Sequence, residues 1–173
     1  ALISQGALDP ARKVARHNVT LLAEAVRQGY QIVTTEPSAA LCLKQEYPAL
    51  LDDDDARTVA ENATEACTYL WQLHRSGKLA LNFKPVDAVL GYHQPCHLRA
   101  IDVGSPGENL LRLVPGLRVR RTADSCSGMA GTWGMKRENF RNSLRAGWPL
   151  IASLRDTRLQ AGTTGGSTCK MQM

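Results

Sequence analysis

Thiols are the most reactive side chains in this sequence, and three of its five cysteines stand where chemistry can be done. Cys96 follows "YHQP", Cys126 opens "CSGMAGTWG", and Cys169 closes "TTGGSTC". Each comes after a segment that reads as a strand, and each sits at a turn or a helix start. The carboxyl ends of parallel strands share one edge of a sheet, so residues far apart in sequence can converge there. Helix N-termini favour the thiolate, which is the form that binds metal. Gly128, Gly131 and Gly134 would let the backbone approach a bulky cofactor and aim N–H groups at it. Gly128 and Gly131 are the candidate cofactor-binding positions. The pattern also has gaps. Ser127 stands where a second adjacent cysteine could be, and Gly166 sits three residues before Cys169, where a C-x-x-C pair would begin. On spacing alone two readings stay open: a shared metal or redox site, or three unrelated small residues in turns.

These residues need elements to position them. Residues 9–28 read as an amphipathic helix with Asp9 as cap, Pro10 in the first turn, and Val14, Asn18, Leu21, Leu22, Ala25 and Val26 at helical spacing. "YQIVTT" follows as a buried strand and "AALCLKQEY" as a short helix. The acidic run Asp52–Asp55 suits the N-terminus of a third helix reaching about Ser76, with Val59, Ala63, Ala66, Cys67, Leu70 and Leu73 on one stripe. Cys67 and Cys42 therefore read as small core residues. "AVLGYHQP" is a strand ending in a turn, and "CHLRA" opens a helix. "DVGSPGENLLRLVPG" carries a short helix, and "LRVRRTA" is the strand that delivers Cys126. "MKRENFRNSLRAGWPLIASLRD" is helical with an interruption near Gly147-Trp148-Pro149. "LQAGTT" is the last strand, and Ser167 could cap a final helix. Strands alternating with helices predict a parallel α/β arrangement.

The two ends of the sequence also resemble each other. With Thr34-Thr35 placed on Thr163-Thr164, Pro37 falls opposite Gly166 and Ala40 opposite Cys169. The predicted organisation is the C-terminal part of a first repeat over 1–50, a linking helix over 51–84, and a second repeat over 85–173. Both ends of the chain read as cuts through a longer polypeptide, which predicts uncovered apolar surface around "YQIVTT" and the first helix.

Composition sets the outer bounds. With 173 residues, 43% hydrophobic and 21% charged, the chain suits one substantial core or two small halves. It has no apolar run long enough to span a bilayer and no signal-peptide pattern, so a cytoplasmic location is expected. The net charge of +5 comes from scattered Lys and Arg, and 5% aromatic content gives little for bases to stack on, which argues against nucleic acid. An odd cysteine count without a secretory signal suits reduced thiols or metal ligands. No Ser-His-Asp set, phosphate loop or G-x-G-x-x-G fingerprint is present, so no catalytic residue is assigned.

Taken together and in order, "YHQPCHLRA", "CSGMAGTWGMKRENF" and "TTGGSTCKMQM" resemble the cysteine-rich CCG domain of iron–sulfur oxidoreductases. That domain occurs in heterodisulfide reductase B-type subunits, glycolate oxidase iron–sulfur subunits, C subunits of anaerobic glycerol-3-phosphate dehydrogenases and modules fused behind FAD-linked oxidase domains. The last two look closest, through "GMAGTWG" and "CKMQM". The resemblance covers nearly the whole chain and implies an α/β tandem CCG-type repeat, with parallel strands, flanking helices and a truncated first repeat. It also implies electron transfer through a [4Fe-4S]-type cluster, incomplete here, from a flavin-containing dehydrogenase domain or subunit to a quinone or other acceptor. FAD would sit only in that absent partner. Longer relatives of this kind carry an upstream ferredoxin-like domain, and the parent dehydrogenase would be of glycerol-3-phosphate or 2-hydroxy acid type. A peripheral place at the cytoplasmic membrane fits such an acceptor.

Cys96, Cys126 and Cys169 match the family pattern, and Ser127 matches its Cys-Ser-Gly variant. Gly166 departs from it. Three thiolates are one short of the usual four, which makes His93 and His97 candidate fourth ligands, although a histidine in a turn more often serves as a hydrogen-bonding group. A Cys3His zinc site is the competing chemistry, and a docking or scaffold module with structural zinc or no metal is the alternative function.

Overall fold

The computed structural model describes residues 2–173. The chain divides into two compact units, Ala1–Ala66 and Cys67–Met173, so the boundary falls inside the 51–84 segment.

The first unit opens with α1 (Leu8–Arg27). Its buried face is Ala11, Ala15, Val19 and Ala23, an i, i+4 stripe of mostly small residues, whereas Val14 and Leu21 are exposed. The apolar face expected from residue size is thus displaced around the helix, because small side chains let α1 lie close against α4 (Asp54–Asn62). Asp9 lies in the first turn rather than at the cap, which is Ala7. Strand β1 (Ile32–Thr34) leads into α2 (Pro37–Leu41), a π-helical turn at Cys42–Glu46, and α3 (Tyr47–Leu51). Asp53 caps α4 by accepting from the Ala56 N–H at 2.8 Å, and its carboxylate also receives Arg16 at 2.9 Å.

The predicted third helix does not run unbroken to Ser76. It stops at Asn62, and Ala63–Glu65 form β2, which pairs in parallel with Ile32–Thr34. The Lys44 ammonium donates to the carbonyls of Ala60 and Ala63 at 3.2 and 3.1 Å. It thereby satisfies carbonyls that the broken helix would leave unpaired. Val19, Ala23, Ile32, Leu43, Ala56, Val59 and Ala63 form the core of this unit.

The second unit begins one residue into α5 (Ala66–Arg75), on which Thr68 is buried, Cys67 is half-buried and Leu70 is exposed. The stripe predicted across residues 59–73 is therefore split between two helices. Strand β3 (Ala88–His93) is followed by α6 (Cys96–Ala100) and α7 (Pro106–Leu111), and β4 (Leu117–Arg121) by α8 (Phe140–Leu154). The chain ends with β5 (Ala161–Thr164) and α9 (Ser167–Lys170). All pairings are parallel and the strand order is β4-β3-β5. The strand first in sequence lies in the middle, so the connection from β4 to β5 crosses over it, and the carboxyl ends of strands at such a reversal of order are where open α/β sheets place ligands.

Helix α8 runs through Gly147 and Pro149 without the predicted interruption. Ser143, Gly147 and Leu150 are buried along one side, and that packing holds the helix across a residue that cannot donate a backbone hydrogen bond. Residues 136–139 lie outside it. The mixed architecture is α/β, as the alternation of elements predicted. Among the described residues no helix is long and apolar enough to cross a membrane.

Candidate metal centre at the strand ends

The second unit presents its three candidate thiols just beyond three adjacent strand ends: Cys96 after β3, Cys126 in the loop after β4, and Cys169 in α9 after β5. Cys126 and Cys169 are both near enough for their charges to act on Cys96. Burial is the largest influence raising the Cys96 thiol above its ordinary value, followed by the charges of Cys126 and Cys169. Adjacent thiolates repel, and a bound cation would reverse that preference. Cys126 is exposed, Cys96 is half-buried and Cys169 is buried. Among the described residues no group of three or more His, Cys, Asp or Glu side chains is arranged to hold a metal ion.

The loop that carries Cys126 is seated by glycines. Gly128 has φ +84°, and its N–H donates to the Cys126 sulfur at 3.3 Å. A Cβ on Gly128 would overlap the Ser143 carbonyl oxygen, one on Gly134 the Ser143 hydroxyl, and one on Gly147 the Ser127 carbonyl oxygen. These glycines let the cysteine loop lie directly on α8, which also explains why "AGW" is a contact point rather than a break. Gly131 has φ +66° but open space around its Cβ direction. Its role here is the turn itself, in which Ala130 is also left-handed at φ +44°.

His93 is fully buried. Its Nε2–H donates to the Ser125 carbonyl at 2.9 Å, since a carbonyl can only accept. Nδ1 then accepts from the Thr164 hydroxyl at 3.0 Å, and the Gly166 N–H donates to that same hydroxyl oxygen at 3.4 Å. Burial pushes the His93 pKa down, outweighing the Ser125 carbonyl, which raises it. Neutral His93 therefore ties the ends of β3 and β5 to the loop of Cys126, and both ring nitrogens are engaged in doing so. The His97 Nδ1 lies 4.0 Å from the Cys96 sulfur, at the limit of a weak contact. Arg99 on α6 donates to the Asp124 carbonyl at 3.0 Å, a further tie between the β3 and β4 ends.

The two gaps in the cysteine pattern have distinct surroundings. Ser127 is buried, and its hydroxyl oxygen lies 3.5 Å from the Met129 N–H. Gly166 is buried with extended backbone, φ −137°. A Cβ there would stand 3.8 Å from the Cys169 sulfur and 3.2 Å from the Pro95 ring. The position is therefore beside the thiols but contributes no donor. Cys42, in the first unit, is pushed up to about 12, first by burial and then by the Glu46 carboxylate, so it stays a thiol.

Sequence reasoning assigned no site role to Thr164, Gln94 or Glu108. Thr164 had a signal in its place at the end of "AGTT", although its histidine partner lies 71 positions away. Buried Gln94 accepts from the Ser105 hydroxyl at 2.8 Å and so holds the loop after α6. Glu108 is buried and accepts from Arg112 at 2.7 Å and Arg121 at 2.6 Å. Burial alone would raise its carboxyl, but the two guanidinium groups bring it below its ordinary value.

Neither a family model nor a solved structure matches the chain. Curated proteins do match it, among them the C subunits of anaerobic glycerol-3-phosphate dehydrogenase from Escherichia coli strain K12 and from Escherichia coli O157:H7. Each is 34% identical over 173 residues, which is 99% of this chain and 43% of the relative. The chain thus spans less than half the length of these relatives. Over nearly its whole length it is similar to part of these C subunits.

Proposed function

We propose that the chain is the iron–sulfur electron-transfer module of a flavin-dependent dehydrogenase, of glycerol-3-phosphate or 2-hydroxy acid type, delivering electrons to a quinone or another carrier. Residues 85–173 form the repeat that carries the site, and 1–50 the C-terminal part of another. The observation that carries this reading is the gathering of Cys96, Cys126 and Cys169 beyond three adjacent parallel strands, in a homologue of a dehydrogenase component. Three thiols fit the donor chemistry of a cluster, one short of the usual four. When bound, such a cluster supplies one-electron transfer, and its type is proposed as [4Fe-4S]. Cys96, Cys126 and Cys169 would hold it. The Gly128 N–H donates to the Cys126 sulfur, and His93 fixes the loop. We place the chain in the cytoplasm, peripheral to the membrane where a quinone resides, with a flavin-bearing partner and a ferredoxin-like domain upstream.

A second reading, a docking module with structural zinc or no metal, is favoured by Gly166 and by the lack, among the described residues, of a group arranged for one metal ion. The test is iron and sulfide retained per chain after anaerobic reconstitution and desalting. Replacing Cys96, Cys126 or Cys169 by Ser should lower retention about tenfold or more, whereas Cys42→Ser and Cys67→Ser leave it unchanged. Gly166→Cys, whose Cβ position adjoins the Cys169 sulfur, should raise it. Colourless protein in every variant, or stoichiometric zinc, would favour the second reading.

A further inference from the structure

Helix α8 has two functional sides. One carries Ser143 and Gly147, on which the cysteine loop rests. The neighbouring side carries Phe140, Leu144 and Trp148, spaced i, i+4, i+8 on one stripe. These three side chains are uncovered, with relative exposures of 53%, 37% and 53%. Trp133 and Met135, in the short 3-10 turn before the helix, are exposed as well. Aromatic residues left bare in a row are costly in water and typify interface cores. The Arg155 guanidinium lies 5.2 Å from the centroid of the Trp148 ring, which steadies the indole while leaving it exposed. Lys136, Arg137, Arg141, Arg145 and Arg155 surround the stripe in sequence, and Glu138 is the only acidic residue between Trp133 and Arg155.

We infer that this stripe is the docking surface for the flavin-bearing component, which presents an apolar centre with a carboxylate rim. The inference rests on the electron-transfer reading and names the surface through which transfer is made. Charge decides the occupant. A second copy would bring one basic rim against another, whereas an acidic rim is attracted and oriented by it. Location supplies the function. Leu144 and Trp148 each follow directly a residue packed against the Cys126–Gly128 loop, so a protein seated on the stripe lies beside the thiols. The connection is short and rigid because backbone meets backbone at Gly128 and Gly147.

The test places p-benzoylphenylalanine at Phe140 or Trp148 of the full chain expressed in its native host, with Leu21, an equally exposed apolar residue of the first unit, as control. Irradiation should give one adduct from positions 140 and 148 and none from 21. Mass spectrometry should identify it as a flavoprotein cross-linked through a peptide rich in Asp and Glu. Arg141→Glu with Arg145→Glu should lower the yield about tenfold, because the rim steers association. Both rim residues are exposed, and an unchanged circular dichroism spectrum confirms folding. An adduct with a second copy, with another segment of the same polypeptide or with a protein lacking flavin overturns the inference, as does equal yield at Leu21 or none at all. Iron and sulfide measured on the same preparation separate the two ideas. A loaded cluster without the adduct sinks only the docking surface, and an adduct on metal-free protein sinks only the cluster.

Discussion

The chain contains two similar strand-to-helix turns with different contents. In the first unit β1 ends at Thr34 and Pro37 starts a helix, and in the second β5 ends at Thr164 and Ser167 starts one. The residues capping both helices, Glu36 and Gly166, are extended. In the first turn, Pro37 and Ala40 fill the interior completely, and the Thr34 hydroxyl donates to backbone carbonyls of Glu36 and Thr64 at 3.3 and 3.4 Å. In the second, Gly166 places no side chain beside Cys169, and the Thr164 hydroxyl serves His93. A parallel strand feeding a helix fixes the position of its turn residues, and side-chain chemistry then decides whether that place is used for packing or for thiols. The contrast also separates two kinds of polar tie: a threonine that meets only backbone carbonyls joins β1 to its neighbour β2, whereas one that meets a buried histidine connects three strand ends.

The severest way to break the second turn's arrangement is to unseat its cysteine loop. Gly128→Ala combines a left-handed backbone with overlap on the Ser143 carbonyl, and should cost on the order of 3–4 kcal/mol. Gly131→Ala, with an open environment, should cost about 1 kcal/mol. Urea denaturation of both variants measures the difference, and equal values would show that the loop is not held on α8. Next in size is Thr164→Val, which leaves the His93 Nδ1 without its donor in a buried place and should cost about 1–3 kcal/mol. Thr34→Val should cost less than about 1 kcal/mol, since no buried side chain loses its partner. If the two threonines prove equal, the distinction between the turns fails.

A smaller effect concerns the support beneath the site. Glu108 titrates below its ordinary 4.5 when folded, so at acid pH the unfolded chain takes up the proton first. Its contribution to stability is therefore full above that value and is lost as pH falls through the lower, folded one. Thermal unfolding between about pH 6 and 3 should show this loss, and Glu108→Gln should flatten that part of the profile while lowering stability at neutral pH. The smallest change expected in iron binding is from Ala40→Cys, which puts a thiol at the first unit's counterpart of Cys169. Ala40 is fully buried, so the added sulfur should cost about 1 kcal/mol in overpacking and add no iron on reconstitution. Added iron would mean that the first turn is itself a latent metal site.

Several parts of this molecule were determined by sequence alone. The strands at 32–34, 88–93 and 161–164 are short runs rich in apolar or β-branched residues, that at 117–121 alternates apolar and basic residues, and their alternation with helices points to a parallel α/β plan. The cysteines worth attention were identifiable because each follows such a strand. Tertiary structure decided the rest. Residues 63–65 lie in a helix-favouring segment, yet they become a strand because β1 offers backbone partners and Lys44 takes the freed carbonyls. The buried face of α1 is chosen by how closely α4 can approach, which favours alanines over the larger Val14 and Leu21. His93 has the composition of a metal ligand, but Thr164 and Ser125 engage both its nitrogens, and neither can be assigned to it by counting along the chain. Local propensity and spacing are carried by neighbours in sequence, whereas the partner of a buried polar group is set by which strand ends the sheet brings side by side.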